Sequence, residues 1–250
     1  MPSSFSIKDT GRLRRTNQDY VFTTDIRIGS LPNLYIVADG MGGHNAGDYA
    51  SRFTVDTVAE FVMNTREKDP ARILNAALLE ANRGLREAAG KDPSLFGMGT
   101  TFVAATISGS QLLAANVGDS RLYVLHAPGK IRQITTDHSI VEEMVQAGRI
   151  DRETARTLPE KNIITRAVGA EEELSVDFFR HSLTDGDLIL LCSDGLTNML
   201  TDSQIAGIVF SHRNLMDAGE RLIYEANMAG GRDNISAVLV NPFDTGRMLL

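Results

Sequence analysis

The sequence contains one cysteine and no tryptophan among its 250 residues. Cys192 therefore has no partner for a disulfide within the chain. It directly follows the apolar residues 188–191, a context that favours a buried and unreactive thiol. The composition is thus compatible with a reducing compartment.

Long hydrophobic runs are also missing. No segment approaches the ~20 apolar residues that a membrane-spanning helix needs. The N-terminal sequence MPSSFSIKDTGRLRR lacks the apolar stretch of a signal peptide. We therefore expect a cytoplasmic protein with no membrane contact.

Positive charge is scarce and scattered. There are 25 Lys and Arg against 32 Asp and Glu, a formal net charge of −7, and the longest basic cluster is Arg14-Arg15. Proteins that bind nucleic acid usually carry a basic patch that neutralises phosphates, so we expect no nucleic-acid partner. An acidic protein that handles phosphate would need metal ions to attract it.

The pattern of apolar segments predicts one domain over residues 1–250, because no linker, low-complexity tract or repeat interrupts it. Short apolar segments bounded by Gly, Asp or Asn predict strands at 34–38, 101–107, 112–117, 121–125, 188–192 and 235–240. The segments 112–117 and 121–125, separated by Gly118-Asp119-Ser120, predict a β-hairpin. Apolar residues at helical spacing predict helices over 46–61, 74–88 and 215–229.

Strand blocks separated by helix pairs favour an α+β fold with mainly antiparallel sheets and helices stacked outside them. Residues 139–160 fit this scheme less well, since they form two short charged helical pieces around Gly148. We call this segment the flap and expect it to be a mobile insertion over the sheets, where functional segments often lie.

Five acids stand at the ends of apolar strand segments: Asp19, Asp39, Asp119, Asp194 and Asp233. Each alone is most simply a turn residue, because Asp-Gly is a common turn pair. Together, at adjacent strand ends, they would repel one another unless a strong positive charge lay among them. An all-oxygen set suits Mn²⁺ or Mg²⁺, and the carbonyl of Gly40 is a further candidate ligand.

Two such ions can share a water, lower its pKa and direct it at phosphorus without a covalent intermediate. The sequence has no GxSxG nucleophile motif. Arg14 is the best-placed clamp for phosphate oxygens, with Arg12 and Arg15 as alternatives. His44 could donate a proton to the leaving alkoxide, although a capping or solvated role is an equal alternative.

These motifs resemble the metal-dependent protein phosphatases, also called type 2C serine/threonine phosphatases, and in particular their compact bacterial members. The resemblance covers nearly the whole chain through GRLRRTNQD, VADGMGGHNAGDYAS, GMGTT, NVGDSRLYVL, TTDHS, NIITRAVG, LCSDGLTNML and GGRDNISAVLV. It implies a four-layer α-β-β-α sandwich of two antiparallel sheets flanked by helix pairs, with metals at one end.

The resemblance also implies roles for individual residues. Asp39 would bridge two ions and Gly40 would offer its carbonyl, while Asp194 and Asp233 would complete the shell of the second ion. Asp19 would act through water. Asp119 together with Asp194 would hold a third ion, Arg14 would clamp phosphate, and the flap would influence substrate choice and turnover.

Two positions depart from the family pattern. Gln18 stands where many relatives have Glu, and Met41 stands where eukaryotic members have a histidine after Asp-Gly, so the general-acid role passes to His44 by inference. His138 is expected to be structural.

The expected partners are phosphorylated proteins, among them a cognate Ser/Thr kinase and its substrates, and the expected state is a monomer. Two alternatives stay open: a two-metal hydrolase of small phosphoesters or nucleotides, and a catalytically silent relative that binds phosphoproteins. A dinucleotide-binding loop is disfavoured, because Asn45 stands where G-x-G-x-x-G requires its third glycine.

Overall fold

The computed structural model describes residues 1–43 and 46–244. The strands are β1 (Ser3–Asp9), β2 (Asp19–Thr24), β3 (Leu34–Met41), β4 (Gly99–Thr100), β5 (Phe102–Ser108), β6 (Gln111–Val117), β7 (Arg121–His126), β8 (Lys130–Gln133), β9 (Asp177–Ser182), β10 (Asp187–Cys192) and β11 (Ile235–Asn241). The α-helices are α1 (Ala46–Asn64), α2 (Pro70–Lys91), α3 (Ile140–Gln146), α4 (Arg152–Thr157), α5 (Asp194–Thr197), α6 (Asp202–Phe210) and α7 (Leu215–Met228). Short 3₁₀ turns cover Pro93–Leu95 and Pro159–Asn162.

The strands form two antiparallel sheets. One has the order β1-β11-β10-β7-β8, and the other has the order β2-β3-β5-β6-β9 with β4 paired to β3. The first and last strands of the chain pair along their full length, from Ser3 opposite Asn241 to Asp9 opposite Ile235.

Alternating side chains along each strand build the layers of the molecule. On β10, Ile189 and Leu191 pack between the two sheets, whereas Leu188, Leu190 and Cys192 pack under α6 and α7. The other sheet packs one face on the same inter-sheet core and its other face on α1 and α2. The predicted four-layer α-β-β-α sandwich is confirmed, and Cys192 is a buried free thiol.

The predicted β6–β7 hairpin is wrong. β6 pairs with β5 and β9, while β7 pairs with β10 and β8, so the link between them crosses from one sheet to the other. Both strands are buried on two faces. On β6, Leu112 faces the inter-sheet core and Leu113 faces α1 and α2. Gly118 makes the crossover with φ +102°, and a Cβ there would lie 2.7 Å from Thr101.

Local sequence signals set the helix ends. Asp69 caps α2 by accepting from the Arg72 N–H, and Pro70 occupies the first helical position. After α7, Gly230 and Gly231 both have positive φ, the conformation in which glycine commonly ends a helix.

The flap contains the two predicted helical pieces, α3 and α4, around Gly148. Its base is held by a bridge between Ser139 and Ile164. In the part of the chain described here, no helix combines the length and apolar character that crossing a bilayer requires.

Candidate metal centre

The pairing of β2 with β3 places two of the predicted acids side by side. Asp19 opens β2 and lies opposite Asp39, near the end of β3. Thr101 accepts from the Asp39 N–H at 2.9 Å, and Thr100 donates its hydroxyl to the Asp39 carbonyl at 3.0 Å. The backbone that carries Asp39 is therefore fixed on both sides.

The other three acids reach the same end of the sandwich from different segments. Asp119 lies in the β6–β7 crossover, Asp194 is the first residue of α5 and is separated from β10 by one residue, and Asp233 precedes β11. β10 and β11 are neighbours in the sheet, which brings Asp194 and Asp233 together. A Cβ on Gly195 would lie 1.9 Å from the Asn234 carbonyl oxygen, so this close approach requires glycine.

An acidic cavity of about 250 Å³ opens at this end of the molecule. Its lining includes Asp39, Asp119, Asp194 and Asp233, with Arg14 at the rim. Asp19 lies beneath this lining and is fully buried. The strand ends thus bring all five predicted acids to one place.

The carboxylates raise one another's pKa values. Burial first, then the charge of Asp233 and that of Asp19, raise the pKa of Asp194 to about 6. Burial is also the main reason that the pKa of Asp19 rises to about 6, although hydrogen bonds from Ser236 and Ser193 oppose it. The pKa values of Asp39 and Asp119 lie well above their usual range for the same two causes, burial and neighbouring carboxylates.

This donor set fits a hard divalent cation. Asp19 Oδ2 accepts hydrogen bonds from Ser193 and Ser236, whereas its buried Oδ1 accepts from no donor in the described residues. A hydrogen bond between Asp19 and Asp39 requires that one of the two carboxylates be protonated. A cation would neutralise this repulsion. Within residues 1–43 and 46–244, no three His, Cys, Asp or Glu side chains form a ready ligand set, so an ion here would also need water or carbonyl oxygens, as Mg²⁺ commonly does.

Gly40 packs its backbone tightly against the start of α1. A Cβ on Gly40 would lie 2.0 Å from the Gly47 carbonyl oxygen. The Gly40 N–H donates to the Gln18 carbonyl, which also accepts from the Ser51 hydroxyl. Gly40 lines the acidic cavity, so its placement is compatible with the predicted carbonyl ligand.

Arg14 is the arginine that the N-terminal segment directs to the acids. Its Nη2 lies 2.8 Å from Asp233 Oδ2, and half of its side chain is exposed. Arg12 instead directs its guanidinium to Met228 Sδ. Arg14 is therefore accessible to a phosphate that enters the cavity.

The predicted general acid His44 lies outside the described residues. His138 has structural contacts, as expected: its ring is buried, accepts from the Gly118 N–H and faces Asp177.

Several residues that support the acidic side chains were not predicted from the sequence. Ser193 and Ser236 hold Asp19, and Asn234 anchors the N-terminal loop by donating to the carbonyls of Thr10 and Thr16. Asn198 donates to Asp194 Oδ2 at 2.9 Å. Ser193 is next to Asp194 in the sequence and Asn234 is next to Asp233, and this proximity was the only sequence signal for their supporting roles.

Comparison with known proteins agrees with this architecture. The family model described as "Protein phosphatase 2C" matches residues 13–232. The chain is 40% identical over 236 residues to the serine/threonine phosphatase stp of Listeria welshimeri, covering 93% of this chain and 92% of that protein.

Solved structures give the same relationship. The serine/threonine phosphatase Stp1 from Staphylococcus aureus superposes with a TM-score of 0.90 at 32% identity, covering 98% of this chain and 96% of that one. The catalytic domain of the phosphatase PstP, solved in complex with two manganese ions, gives a TM-score of 0.84 at 32% identity, covering 96% and 97%. The chain belongs to the protein phosphatase 2C family.

Proposed function

We propose that this chain is a metal-dependent serine/threonine protein phosphatase that hydrolyses phosphoserine and phosphothreonine by direct attack of a metal-activated water. The observation that carries this proposal is the acidic cavity, which four carboxylates line beside an accessible arginine. The family membership of the chain supports the same activity.

When bound, two divalent ions would supply a water of lowered pKa and charge stabilisation for the phosphoryl group. Asp39, Asp194, Asp233 and the Gly40 carbonyl would hold these ions, and Asp19 would act through water from beneath. Mn²⁺ is the first candidate, because the related PstP domain holds two manganese ions. Mg²⁺ suits the same oxygen ligands, and Asp119 with Asp194 would hold a third ion.

Arg14 would bind two phosphate oxygens with its planar guanidinium. Arg14 pairs with Asp233, so an ion that binds Asp233 would compete with this arginine for the carboxylate. We propose His44 as the donor of a proton to the leaving alkoxide, on its place in the sequence directly after the glycines.

The test is phosphate release from a phosphothreonine peptide, with Mn²⁺ titrated in and then removed by EDTA, for wild type and Asp194→Ala. We expect metal-dependent release that the variant loses. ATP is measured in parallel, and a preference for ATP over the peptide would favour the small-phosphoester alternative. Mn²⁺ binding without any release would favour a silent binding protein.

The remaining expectations stay predictions. These are one domain over residues 1–250 with the flap as an insertion, a monomeric state, a cytoplasmic location, and a cognate kinase with its substrates as partners. Size-exclusion chromatography with light scattering checks the oligomeric state directly.

A further inference from the structure

The turn between α7 and β11 carries an arginine at the edge of the acidic cavity. Arg232 directly precedes Asp233, whose carboxylate lines this cavity. The N-terminal loop holds the turn in place, since the Arg12 N–H donates to the Gly231 carbonyl at 2.7 Å and the Asn234 amide donates to two carbonyls of that loop. Arg232 therefore starts from a fixed point, one residue from a predicted metal ligand.

The side chain of Arg232 folds over this turn and is exposed. A Cβ on Gly230 would lie 3.7 Å from Arg232 Cγ and 3.5 Å from Met199 Sδ, so the stem of the arginine lies over Gly230 and near Met199. Arg232 forms no ion pair within the described part of the chain, whereas Arg14 is neutralised by Asp233 at 2.8 Å. Of these two arginines, Arg232 is therefore the one whose guanidinium is unpaired.

Positive charge accumulates on this side of the acidic cavity. Burial lowers the pKa of the Lys161 amine, and the charges of Arg156 and Arg232 act in the same direction, against the opposing charge of Asp194. The protein as a whole has a formal net charge of −7. A local excess of cations in an acidic protein favours an anion at that place.

The anion at Arg232 would be distinct from the phosphate that is hydrolysed. A guanidinium binds carboxylate or phosphate oxygens through two parallel N–H···O bonds. The reacting phosphate is already assigned to the metal ions and Arg14, so an anion at Arg232 is a second group of the same substrate. Since an extended peptide advances ~3.3 Å per residue, side chains about one to three positions from the phosphorylated residue reach this turn.

We propose that Arg232 is a specificity-determining residue, which selects phosphoprotein substrates that carry a second anionic group close to the phosphorylated residue. This group is a carboxylate or a second phosphate, and both bind the same guanidinium. The net charge of the protein repels acidic peptides, and Arg232 supplies the local attraction that lets them bind at the cavity. This inference rests on the proposed function, since it names the substrates of the same site.

The test compares phosphothreonine peptides that differ in one residue. The reference peptide has neutral flanks, and in the others a glutamate or a non-hydrolysable phosphonate stands two positions before or after the phosphothreonine. The values of kcat and KM are measured with Mn²⁺ on the full chain for wild type, Arg232→Gln, Arg232→Lys and Arg213→Gln. Arg213 is the matched control, because it is also exposed without an ion pair in the described residues but precedes α7, whereas Arg232 follows it.

We expect the wild type and Arg213→Gln to have a higher kcat/KM for an anionic peptide than for the neutral one. Arg232→Gln should lower this ratio about 3- to 10-fold, mainly by raising KM for the anionic peptide, because one charge-assisted contact at an exposed site is lost. Arg232→Lys should keep part of the preference, since it keeps the charge without the planar fork. The ratio compares two peptides on one protein, so a general loss of folding or of metal affinity cancels.

The peptides also distinguish the two sources of the anion. A preference for the glutamate peptide identifies a carboxylate, and a preference confined to the phosphonate peptide identifies a second phosphate. The proposal is overturned if the wild type prefers neither anionic peptide, if Arg232→Gln keeps the wild-type ratio, or if Arg213→Gln lowers the ratio equally. Absence of phosphate release from every peptide would instead overturn the proposed function, and the selectivity with it.

Discussion

At the scale of single residues, the acidic cavity makes the metal-free protein less stable than it could be. Asp194 is held among other carboxylates, and its pKa is raised to about 6 by burial and by the charges of Asp233 and Asp19. Its ionised form is therefore disfavoured in the fold at neutral pH relative to the unfolded chain. A neutral side chain of the same shape would relieve this repulsion.

Asp194→Asn should consequently raise the metal-free Tm at pH 7.5 by about 2–4 °C, which is ~1 kcal/mol for a chain of this size. The same variant should lose the increase in Tm that Mn²⁺ gives the wild type, because it lacks a ligand. Differential scanning fluorimetry with EDTA and with Mn²⁺ measures both. Asp185→Asn, in an exposed turn, is the control, and an unchanged Mn²⁺ shift in Asp194→Asn would contradict the metal assignment.

Arg14 should affect substrate binding and metal binding in opposite directions. Arg14→Ala removes a charge-assisted contact of about 1.5–3 kcal/mol, so KM for a phosphothreonine peptide should rise about 10- to 100-fold. Mn²⁺ affinity should stay the same or increase, because Arg14 no longer competes for Asp233.

Steady-state kinetics and calorimetry separate these two effects of Arg14→Ala. Arg52→Ala is the control, because Arg52 also pairs with an aspartate, Asp56, but on the exposed surface of α1. An unchanged KM in Arg14→Ala would remove Arg14 from the phosphate site. Arg14→Lys should recover only part of the loss, because a lysine lacks the planar fork.

At the scale of elements, the close contact of α1 with β3 positions Asp39. A Cβ on Gly47 would lie 2.7 Å from the Gly40 carbonyl oxygen and from Gln18 Nε2. Gly47→Ala should therefore push α1 away from the strand that carries Asp39, lowering stability by about 1–3 kcal/mol and weakening Mn²⁺ binding.

Gly207, unlike Gly47, has room for a side chain. It lies exposed in α6, and a Cβ there would meet nothing within 4 Å. Gly207→Ala should stabilise the protein by about 0.5–1 kcal/mol, since alanine is the better helix former. Urea unfolding of both variants checks the pair, and equal stability changes would show that the contact between Gly40 and Gly47 is not tight.

Much of the element order could be predicted because buried strands and amphipathic helices leave strong periodic signals. The strands β3, β5, β6, β7, β10 and β11 and the helices α1, α2 and α7 were all expected. The edge strand β8 was not, since it is short and half charged and gives a weak pattern. Helix α6 was not predicted from its apolar pattern, although the capping box of Thr201 and Gln204 is a sequence signal for its N-terminus.

The pairing of strands was harder to predict than their existence. The β6–β7 link has the length of a hairpin, and only the need to bury both faces of each strand explains why it crosses between the sheets. The five acids were found because each stands at a strand end. Asn198 and the serines around Asp19 were missed because their roles depend on contacts between distant segments.

At the scale of the whole molecule, His138 joins segments from both sheets. Its Nδ1 accepts from the Gly118 N–H in the β6–β7 crossover at 3.0 Å, so this nitrogen carries no proton. Its Nε2 then donates to Asp177 of β9 at 3.2 Å, with Arg166 close by. Protonation would place a second N–H against that of Gly118, and the ring is best accommodated neutral.

The pKa of His138 is accordingly lowered, chiefly by burial, with the charge of Arg166 acting in the same direction and Asp177 and Asp137 opposing. Below about pH 6.5, the usual value for histidine, the unfolded chain binds a proton that the fold resists. Stability contributed by a neutral His138 is therefore complete above that pH and is lost as the pH falls. The limit is ~1.4 kcal/mol per pH unit for one proton.

Without metal, the Asp19 and Asp194 carboxylates make stability change with pH in the opposite direction. Their raised pKa values make the folded protein bind protons more readily than the unfolded chain near pH 6, so acidification stabilises the fold at these two residues. They are present in wild type and in His138→Gln alike, so the difference between the two proteins isolates the histidine. Urea unfolding from pH 5.5 to 7.5 should show the wild type losing up to ~1 kcal/mol more than His138→Gln on acidification. His181→Gln on β9 should follow the wild type. Parallel curves for wild type and His138→Gln would mean that the ring accepts its proton without disturbing the crossover between the sheets.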